Sequence, residues 1–254
     1  MKTKKQPKYT MKTQNFTTQK LRNLFQICVT LVLFTLITLQ GLKAQVSQKI
    51  YSSSNPTVYS GLVISAGTQV NVSATDDDNV YALQNIGFDF AYCGNTYTTV
   101  GICANGFLKL GSAPSNTYSG APTGQTNIIS AFNNDLQGPN LSNSKIRIQT
   151  IGASPNRVCV VQWSDWSIYP YNASVLFNFQ IRLSEADGKV QIVYGPCTPY
   201  AFSVTVGLSG NSTTDFNVLS STTTWASPTV ITSGTATMTL STIVYPDSGR
   251  TYHL

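Results

Sequence analysis

Residues 86–111 read IGFDFAYCGNTYTTVGICANGFLKLG and carry the strongest structural pattern in the chain. Every second residue from Phe88 to Tyr92 is aromatic, and this period of two is typical of a strand with one buried face. Gly94-Asn95 supplies a turn after it, because both residue types tolerate a positive φ. Asn105-Gly106 repeats the signal one strand later. The pattern predicts a β-hairpin followed by a further strand, and it contains no catalytic motif.

The same signature recurs along the rest of the chain. Lys145 to Thr150 alternates apolar with polar residues, Arg157 to Trp166 is rich in valine and tryptophan, and Glu185 to Gly188 predicts a hairpin turn. No later segment has sustained helical periodicity, and roughly 11 to 14 short strands with turns between them can be assigned. We therefore predict an all-β fold, a single large two-sheet antiparallel β-sandwich of jelly-roll type formed by residues 45–254.

The N-terminus has the three parts of a secretory signal peptide. Residues 1–23 contain seven lysines and arginines and no acid, residues 24–39 are mostly apolar, and Ala44 is a small residue at a suitable cleavage point. We predict a signal peptide at residues 1–44 that is removed after Ala44. The alternative is an uncleaved anchor, which would normally need an apolar run of about 20 residues.

Removal of residues 1–44 would change the charge of the chain. Eight of the 16 lysines and arginines lie in that segment, and all ten acids lie after it, so residues 45–254 carry a net charge of −2. The precursor's charge of +6 is therefore no sign of nucleic-acid binding. We predict an exported protein with no nucleic-acid partner and no membrane span after cleavage.

Four cysteines lie beyond residue 44, at Cys93, Cys103, Cys159 and Cys197. An even number in an exported chain predicts two disulfides, for which three connectivities exist. Cys93–Cys197 together with Cys103–Cys159 is one of these. The alternative is that some of them are buried free thiols that behave as small apolar side chains.

One acidic run is a candidate metal site. Asp76, Asp77 and Asp78 are consecutive, and carboxylate oxygens are the ligands that Ca²⁺ prefers. Coordination of Ca²⁺ needs about 6 to 8 oxygens, and the spacing of a known calcium loop is absent. A solvated acidic loop is the alternative, and no other cofactor is predicted.

A second candidate site is aromatic. Trp166, Tyr169 and Tyr171 are close in sequence, and Asp135 is a carboxylate that we group with them. Exposed rings would stack against a sugar, whereas buried rings would belong to the core of the sandwich. The sequence leaves both interpretations open.

Catalysis has little support in the sequence. The only histidine is His253, one residue from the end, so a Ser-His-Asp or Cys-His arrangement would depend on a terminal residue. A carboxylate pair for glycoside hydrolysis would have to come from scattered residues such as Asp89, Asp135 and Asp165. We predict that the protein is not an enzyme.

Several motifs together resemble a β-sandwich domain of exported Bacteroidota proteins of the Cytophaga and Flavobacterium type. That domain carries IGFxFxFxGxxY, NGFLxLG, NxIxAFxxDL, PNRVxVVQW, FQIRLxExxGxVxIVYG, VGLSG…DFN with a later Trp, and PxSGxTY. The matching stretches are Ile86–Tyr97, Asn105–Gly111, Asn127–Leu136, Pro155–Trp163, Phe179–Gly195, Val206–Asn217 with Trp225, and Pro246–Tyr252. The chain is also distantly similar to the nidogen-type extracellular domain.

The resemblance implies an exported module of a kind often followed by fibronectin type III modules or a type IX sorting domain, and it implies no activity. We therefore predict a secreted or cell-surface binding or structural module of adhesion type, with a surface glycan or an extracellular protein as its partner. The alternative function is a sandwich-fold carbohydrate-active hydrolase or a glycan-binding protein.

Overall fold

The computed structural model describes residues 13–39, 45–49, 51–54, 58–63, 65–114, 122–170 and 172–254. The chain divides into two compact units, Met1–Lys43 and Ala44–Leu254. Helix α1, Thr13–Leu39, belongs to the first unit. Among the described residues, no helix combines the length and the apolar character that crossing a membrane requires.

The second unit begins with a short 3₁₀ helix, Val46–Gln48, and continues as strands. They are β1 (Ser52–Ser54), β2 (Thr68–Gln69), β3 (Gln84–Tyr92), β4 (Asn95–Cys103), β5 (Phe107–Leu110), β6 (Ile128–Asn133), β7 (Leu136–Gln137), β8 (Lys145–Ile151), β9 (Val158–Ile168), β10 (Phe177–Ser184), β11 (Val190–Cys197), β12 (Phe202–Ser209), β13 (Phe216–Ser220), β14 (Thr229–Ile231), β15 (Met238–Leu240) and β16 (Thr251–His253).

These strands form two antiparallel sheets. The order in one sheet is β1-β16-β11-β10-β9-β8-β2, with β7 also paired to β9. The order in the other is β14-β13-β12-β6-β5-β4-β3, with β15 also paired to β12. The prediction of an all-β, two-sheet antiparallel sandwich is confirmed.

The predicted hairpin at residues 86–97 is present as β3 and β4. Burial alternates strictly along the second half of β3, as the period-two pattern requires. Tyr92 pairs with Asn95, so the two turn residues are Cys93 and Gly94, with φ of 50° and 77°. Two consecutive residues with a positive φ form a tight turn whose backbone twist matches the twist of the two paired strands. The turn therefore lies one residue earlier than the sequence predicted.

One hydrophobic core joins the sheets, and Phe132 of β6 lies at its centre. Its ring centroid is 4.8 Å from that of Phe177 and 5.2 Å from that of Phe179, both in β10 of the opposite sheet. Trp163 of β9 stacks on Phe179 at 5.0 Å, and Trp225 lies 6.1 Å from Phe132. Large aromatic rings from both inner faces thus fill the space between the sheets, which is where such residues contribute most to stability.

Candidate functional site

Three carboxylates from two distant parts of the chain converge at one end of the sandwich. Each of Asp77, Asp78 and Asp135 offers an oxygen that lies within 4.8 Å of the others. An isolated antiparallel bridge pairs Asp77 with Gln137, and Asp135 directly precedes β7, so the backbone itself brings the two segments together. The sequence named Asp77 and Asp78 for a metal site but placed Asp135 in a different site.

Asp76 has another role, which corrects the predicted metal set. Its carboxylate is buried and accepts the backbone N–H groups of Val72 at 3.0 Å and Ser73 at 3.1 Å. It also accepts the hydroxyl of Tyr81 at 2.8 Å. Both oxygens are therefore engaged in holding the preceding turn.

The converging carboxylates repel one another. Burial raises the pKa of Asp77, and the charges of Asp78 and Asp135 raise it further. Burial and then the charge of Asp78 raise the pKa of Asp135. Asn105 donates to Asp78 at 2.7 Å and, through its own oxygen, accepts the N–H of Leu136 at 2.7 Å, so one buried amide fixes both sides of the cluster.

Such an arrangement suits a hard divalent cation, because the ligand atoms are carboxylate oxygens and their mutual repulsion would be relieved by positive charge. Three carboxylates fall short of a complete calcium shell. The calcium prediction stays a prediction, and its residues are now Asp77, Asp78 and Asp135.

The predicted aromatic site is only partly assembled. Tyr169 is half-exposed, at 50%, and its N–H donates to the carbonyl oxygen of Asp135 at 3.0 Å, so these two residues are neighbours. Trp166 is fully buried in the core and offers no face to a ligand, which corrects its assignment as a binding residue. Tyr171 lies outside the described residues.

All four cysteines of the sandwich are free thiols, so neither predicted bridge is present. Cys103 lies beside Trp163, whose indole N–H donates to the Cys103 carbonyl at 3.3 Å. Cys159 is four residues from Trp163 along β9, or about 13 Å away at the usual rise of a strand. A disulfide requires Cα atoms about 4.4 to 6.8 Å apart.

The other predicted bridge fails for the same reason. Cys93 lies near the turn between β10 and β11, where the backbones of Ala91 and Gly188 are in contact. Cys197 is at the far end of β11, roughly 30 Å from that turn at about 3.3 Å per residue. Burial raises the pKa of Cys93 to about 11 and the pKa values of Cys103, Cys159 and Cys197 to about 12. These properties fit the alternative interpretation, in which the cysteines are buried thiols with a structural role.

The histidine near the C-terminus is held in a strand. His253 lies in β16 between β1 and β11, with its ring nitrogens 3.2 Å from the Gln191 amide nitrogen and 3.3 Å from the Ser54 hydroxyl. The imidazole is therefore held by side chains of both neighbouring strands, although it lies near the C-terminus. Its described ring contacts are an amide and a hydroxyl, so they do not supply the carboxylate partner of a catalytic triad.

A groove of 340 Å³ opens where β10 begins and β11 ends, and the residues of the acidic cluster are not among those described as lining it. Asp165 of β9 and Asn178 of β10 line it, together with Tyr245 and Ser248 of the loop before β16. Asp165 has a φ of 46° in the middle of a strand, opposite a register shift between Phe177 and Phe179. The sequence marked Asp165 only as one of several scattered carboxylates, because neither the strand irregularity nor the distant Tyr245 can be seen in a local pattern.

A protein-family model described as NIDO related matches residues 51–253. No curated protein matches the chain, and no solved structure does. The match covers almost the whole of the sandwich.

Proposed function

The chain belongs to the NIDO-related family, and from that premise we propose that it is an exported, non-catalytic binding or structural module of adhesion type. Domains of this family are typically extracellular and are non-enzymatic in kind. The partner that we propose is a surface glycan or an extracellular protein.

The observation that carries this proposal is that many of the carboxylates make contacts that hold the fold together. Asp76 holds a turn, Asp215 holds the first residues of the sandwich, and Glu185 pairs with Arg157. Asp187 pairs with Lys189, and Asp247 pairs with Arg250. Half of the ten acids are thus engaged in contacts that stabilise the fold, and a catalytic acid–base pair would have to come from the remainder.

Export is supported by the sequence of residues 1–44 and by the packing of the residues that follow it. Val46 is completely buried and hydrogen-bonded to Asp215, directly after the proposed cleavage point at Ala44. The fold unit also begins at Ala44. Cleavage there would release a chain whose first turn is already part of the packed domain.

Mass spectrometry of the protein from the culture medium and from the cell envelope tests export. We expect a chain that begins at Gln45 in the medium or on the surface. A full-length chain retained in the envelope would make residues 24–39 an anchor and would overturn the proposal of a cleaved signal.

A carbohydrate-active hydrolase is the second candidate, and the acidic cluster favours it. Asp77, Asp78 and Asp135 lie within 4.8 Å, and the pKa values of Asp77 and Asp135 are raised, as those of general acids are. Asp135→Asn separates the two candidates in an assay of reducing-sugar release from a panel of polysaccharides. A binding module releases no sugar with either form, whereas a hydrolase releases sugar only with the unmodified protein.

A further inference from the structure

The groove that contains Asp165 combines three features found together in sites for small polar ligands. Its volume of 340 Å³ falls within the range of about 300 to 1,000 Å³ that such sites occupy. The ring of Tyr245, which is 38% exposed, and Pro196 supply apolar surface. Asp165, Thr198 and Ser248 supply hydroxyl and carboxylate groups.

The conformation of Asp165 is strained and is held by three hydrogen bonds to two residues. Its N–H donates to the Asn178 side-chain oxygen at 3.1 Å, and its carbonyl accepts the Ser144 hydroxyl at 3.1 Å. Its Oδ1 accepts the Asn178 amide at 3.2 Å. A left-handed residue inside a strand costs free energy and persists only where its surroundings enforce it, and such residues cluster at ligand sites.

Asn178 is occupied by these contacts and acts as a positioning residue. Its amide nitrogen also donates to the carbonyl of Pro196 at 3.0 Å, so the β9, β10 and β11 walls of the groove are joined through one side chain. In the described hydrogen bonds Asp165 uses only Oδ1, which leaves Oδ2 available as an acceptor for a ligand. A carboxylate accepts hydroxyl hydrogens in bonds roughly twice as strong as neutral ones.

The charges around the groove select the class of ligand. None of the described residues that line it is a lysine, arginine or histidine, and its one charged group is the Asp165 carboxylate. The nearby Arg250 is buried and is paired with Asp247 at 2.6 Å. Phosphate, sulfate and carboxylate groups would therefore be repelled, whereas neutral hydroxyls would find an acceptor at Asp165 and a donor or acceptor at Ser248.

We propose that this groove binds one neutral hexose unit of a glycan, with the Tyr245 ring against the apolar face of the sugar and Asp165 accepting its hydroxyls. The inference rests on the proposed function as a binding module and adds the site and the ligand class. The described lining of the groove contains a single carboxylate, so it binds the sugar without the second acid that hydrolysis requires.

The test is saturation-transfer difference NMR of the full chain with the methyl glycosides of glucose, galactose, mannose and N-acetylglucosamine, one at a time. At least one is expected to bind, and Tyr245→Ala and Asp165→Asn are each expected to weaken its affinity tenfold or more. Asparagine tolerates a positive φ, so Asp165→Asn keeps the backbone conformation. A thermal melt of each variant confirms that it is folded.

Asp89→Asn is the matched control, because it changes an exposed carboxylate elsewhere on the domain, and Tyr169→Ala tests the competing aromatic site. Sugar binding that survives both groove variants but is lost in Tyr169→Ala would show that the groove is not the binding site. The proposal that the protein is a binding module would still stand. Absence of binding to all four glycosides would overturn the ligand class, while export and binding to extracellular proteins would still be decided by their own experiments. Binding of an oligolysine peptide instead, abolished by Asp165→Asn, would also overturn the ligand class.

Discussion

The carboxylate of Asp215 lies 3.0 Å from the backbone nitrogen of Val46, which is 169 residues earlier in the chain. Its second oxygen accepts the N–H of Ser47 at 2.9 Å. Both donors belong to the single turn of helix that opens the sandwich, and no side chain of that turn caps it. Asp215 therefore acts as the missing cap and fastens the N-terminal segment to the turn before β13.

Asp215→Ala is expected to lower the free energy of unfolding by about 2 to 3 kcal/mol, because one buried and one partly buried backbone donor lose a charged acceptor. Asp215→Asn should have an intermediate effect, since one oxygen remains. Urea denaturation followed by tryptophan fluorescence measures both. Asp187→Ala is the control, because it removes an exposed ion pair worth about 0 to 1 kcal/mol. Equal stabilities of Asp215→Ala and Asp187→Ala would contradict the anchoring role.

Glu185 makes the stability of the fold depend on pH in the acid range. The Arg157 side chain donates to both of its oxygens, at 2.8 Å from Nε and 2.5 Å from Nη2, and these bonds lower the pKa of Glu185 from 4.5 to about 2. A carboxylate whose pKa is lowered by folding stabilises the fold fully above its unfolded pKa and loses that effect as the pH falls through the folded value.

The melting temperature of the unmodified protein should therefore exceed that of Glu185→Gln by a constant amount above about pH 5. The difference should shrink as the pH falls from 4.5 toward 2. Thermal melts of both proteins across that range provide the measurement. A difference that is the same at pH 2.5 and at pH 6 would show that the loss comes from packing and not from the charge of Glu185.

The long strands could be predicted because their pattern is local. The alternating burial of β3 follows directly from Phe88, Phe90 and Tyr92, and Gly188, with a φ of 63°, marks the turn between β10 and β11 as expected. The short strands β2, β7, β14 and β15 have only two or three residues, which is too few for a period to be recognised. The existence of β2, β7 and β15 also depends on a partner strand far away in sequence.

The candidate sites could be predicted less well, because tertiary contacts assemble them. Nothing in the sequence near Asp135 indicates that the pairing of Asp77 with Gln137 will bring it to the acidic run. Similarly, four cysteines suggest two bridges, but the register of β4, β9 and β11 keeps the sulfur atoms apart. Residue type predicted the chemistry that is available, whereas strand register determined which groups meet.

The burial of Asp77 and the repulsion within the acidic cluster together predict a stabilising substitution. Folding raises the pKa of Asp77, so the ionised side chain disfavours the folded state. The stability that the protonated side chain contributes is fully present below pH 3.8, and it is lost as the pH rises through the raised pKa. Asp77→Asn removes that charge. At pH 7 in the presence of a chelator, we expect it to raise the melting temperature by about a few degrees.

Addition of millimolar Ca²⁺ tests the predicted cation site with the same two proteins. If the cluster binds Ca²⁺, the melting temperature of the unmodified protein rises with Ca²⁺ concentration and that of Asp77→Asn rises less, because a ligand that binds only the folded state stabilises it. Asp89→Asn, which changes an exposed carboxylate outside the cluster, should respond as the unmodified protein does. No rise in any of the three would leave the cluster as a solvated acidic turn.

The state of the cysteines gives the last prediction, which concerns reactivity. Cys28 in α1 is exposed, whereas Cys93, Cys103 and Cys159 are buried and Cys197 is partly buried. The thiolate is the reactive form, and the burial that raises the pKa of the last four to about 11 or 12 suppresses it at neutral pH. Iodoacetamide should therefore label the native full-length chain once, at Cys28, and the denatured chain five times. A denatured, unreduced chain that accepts only one label would show that the other four are bridged, which would require a strand register different from the one described.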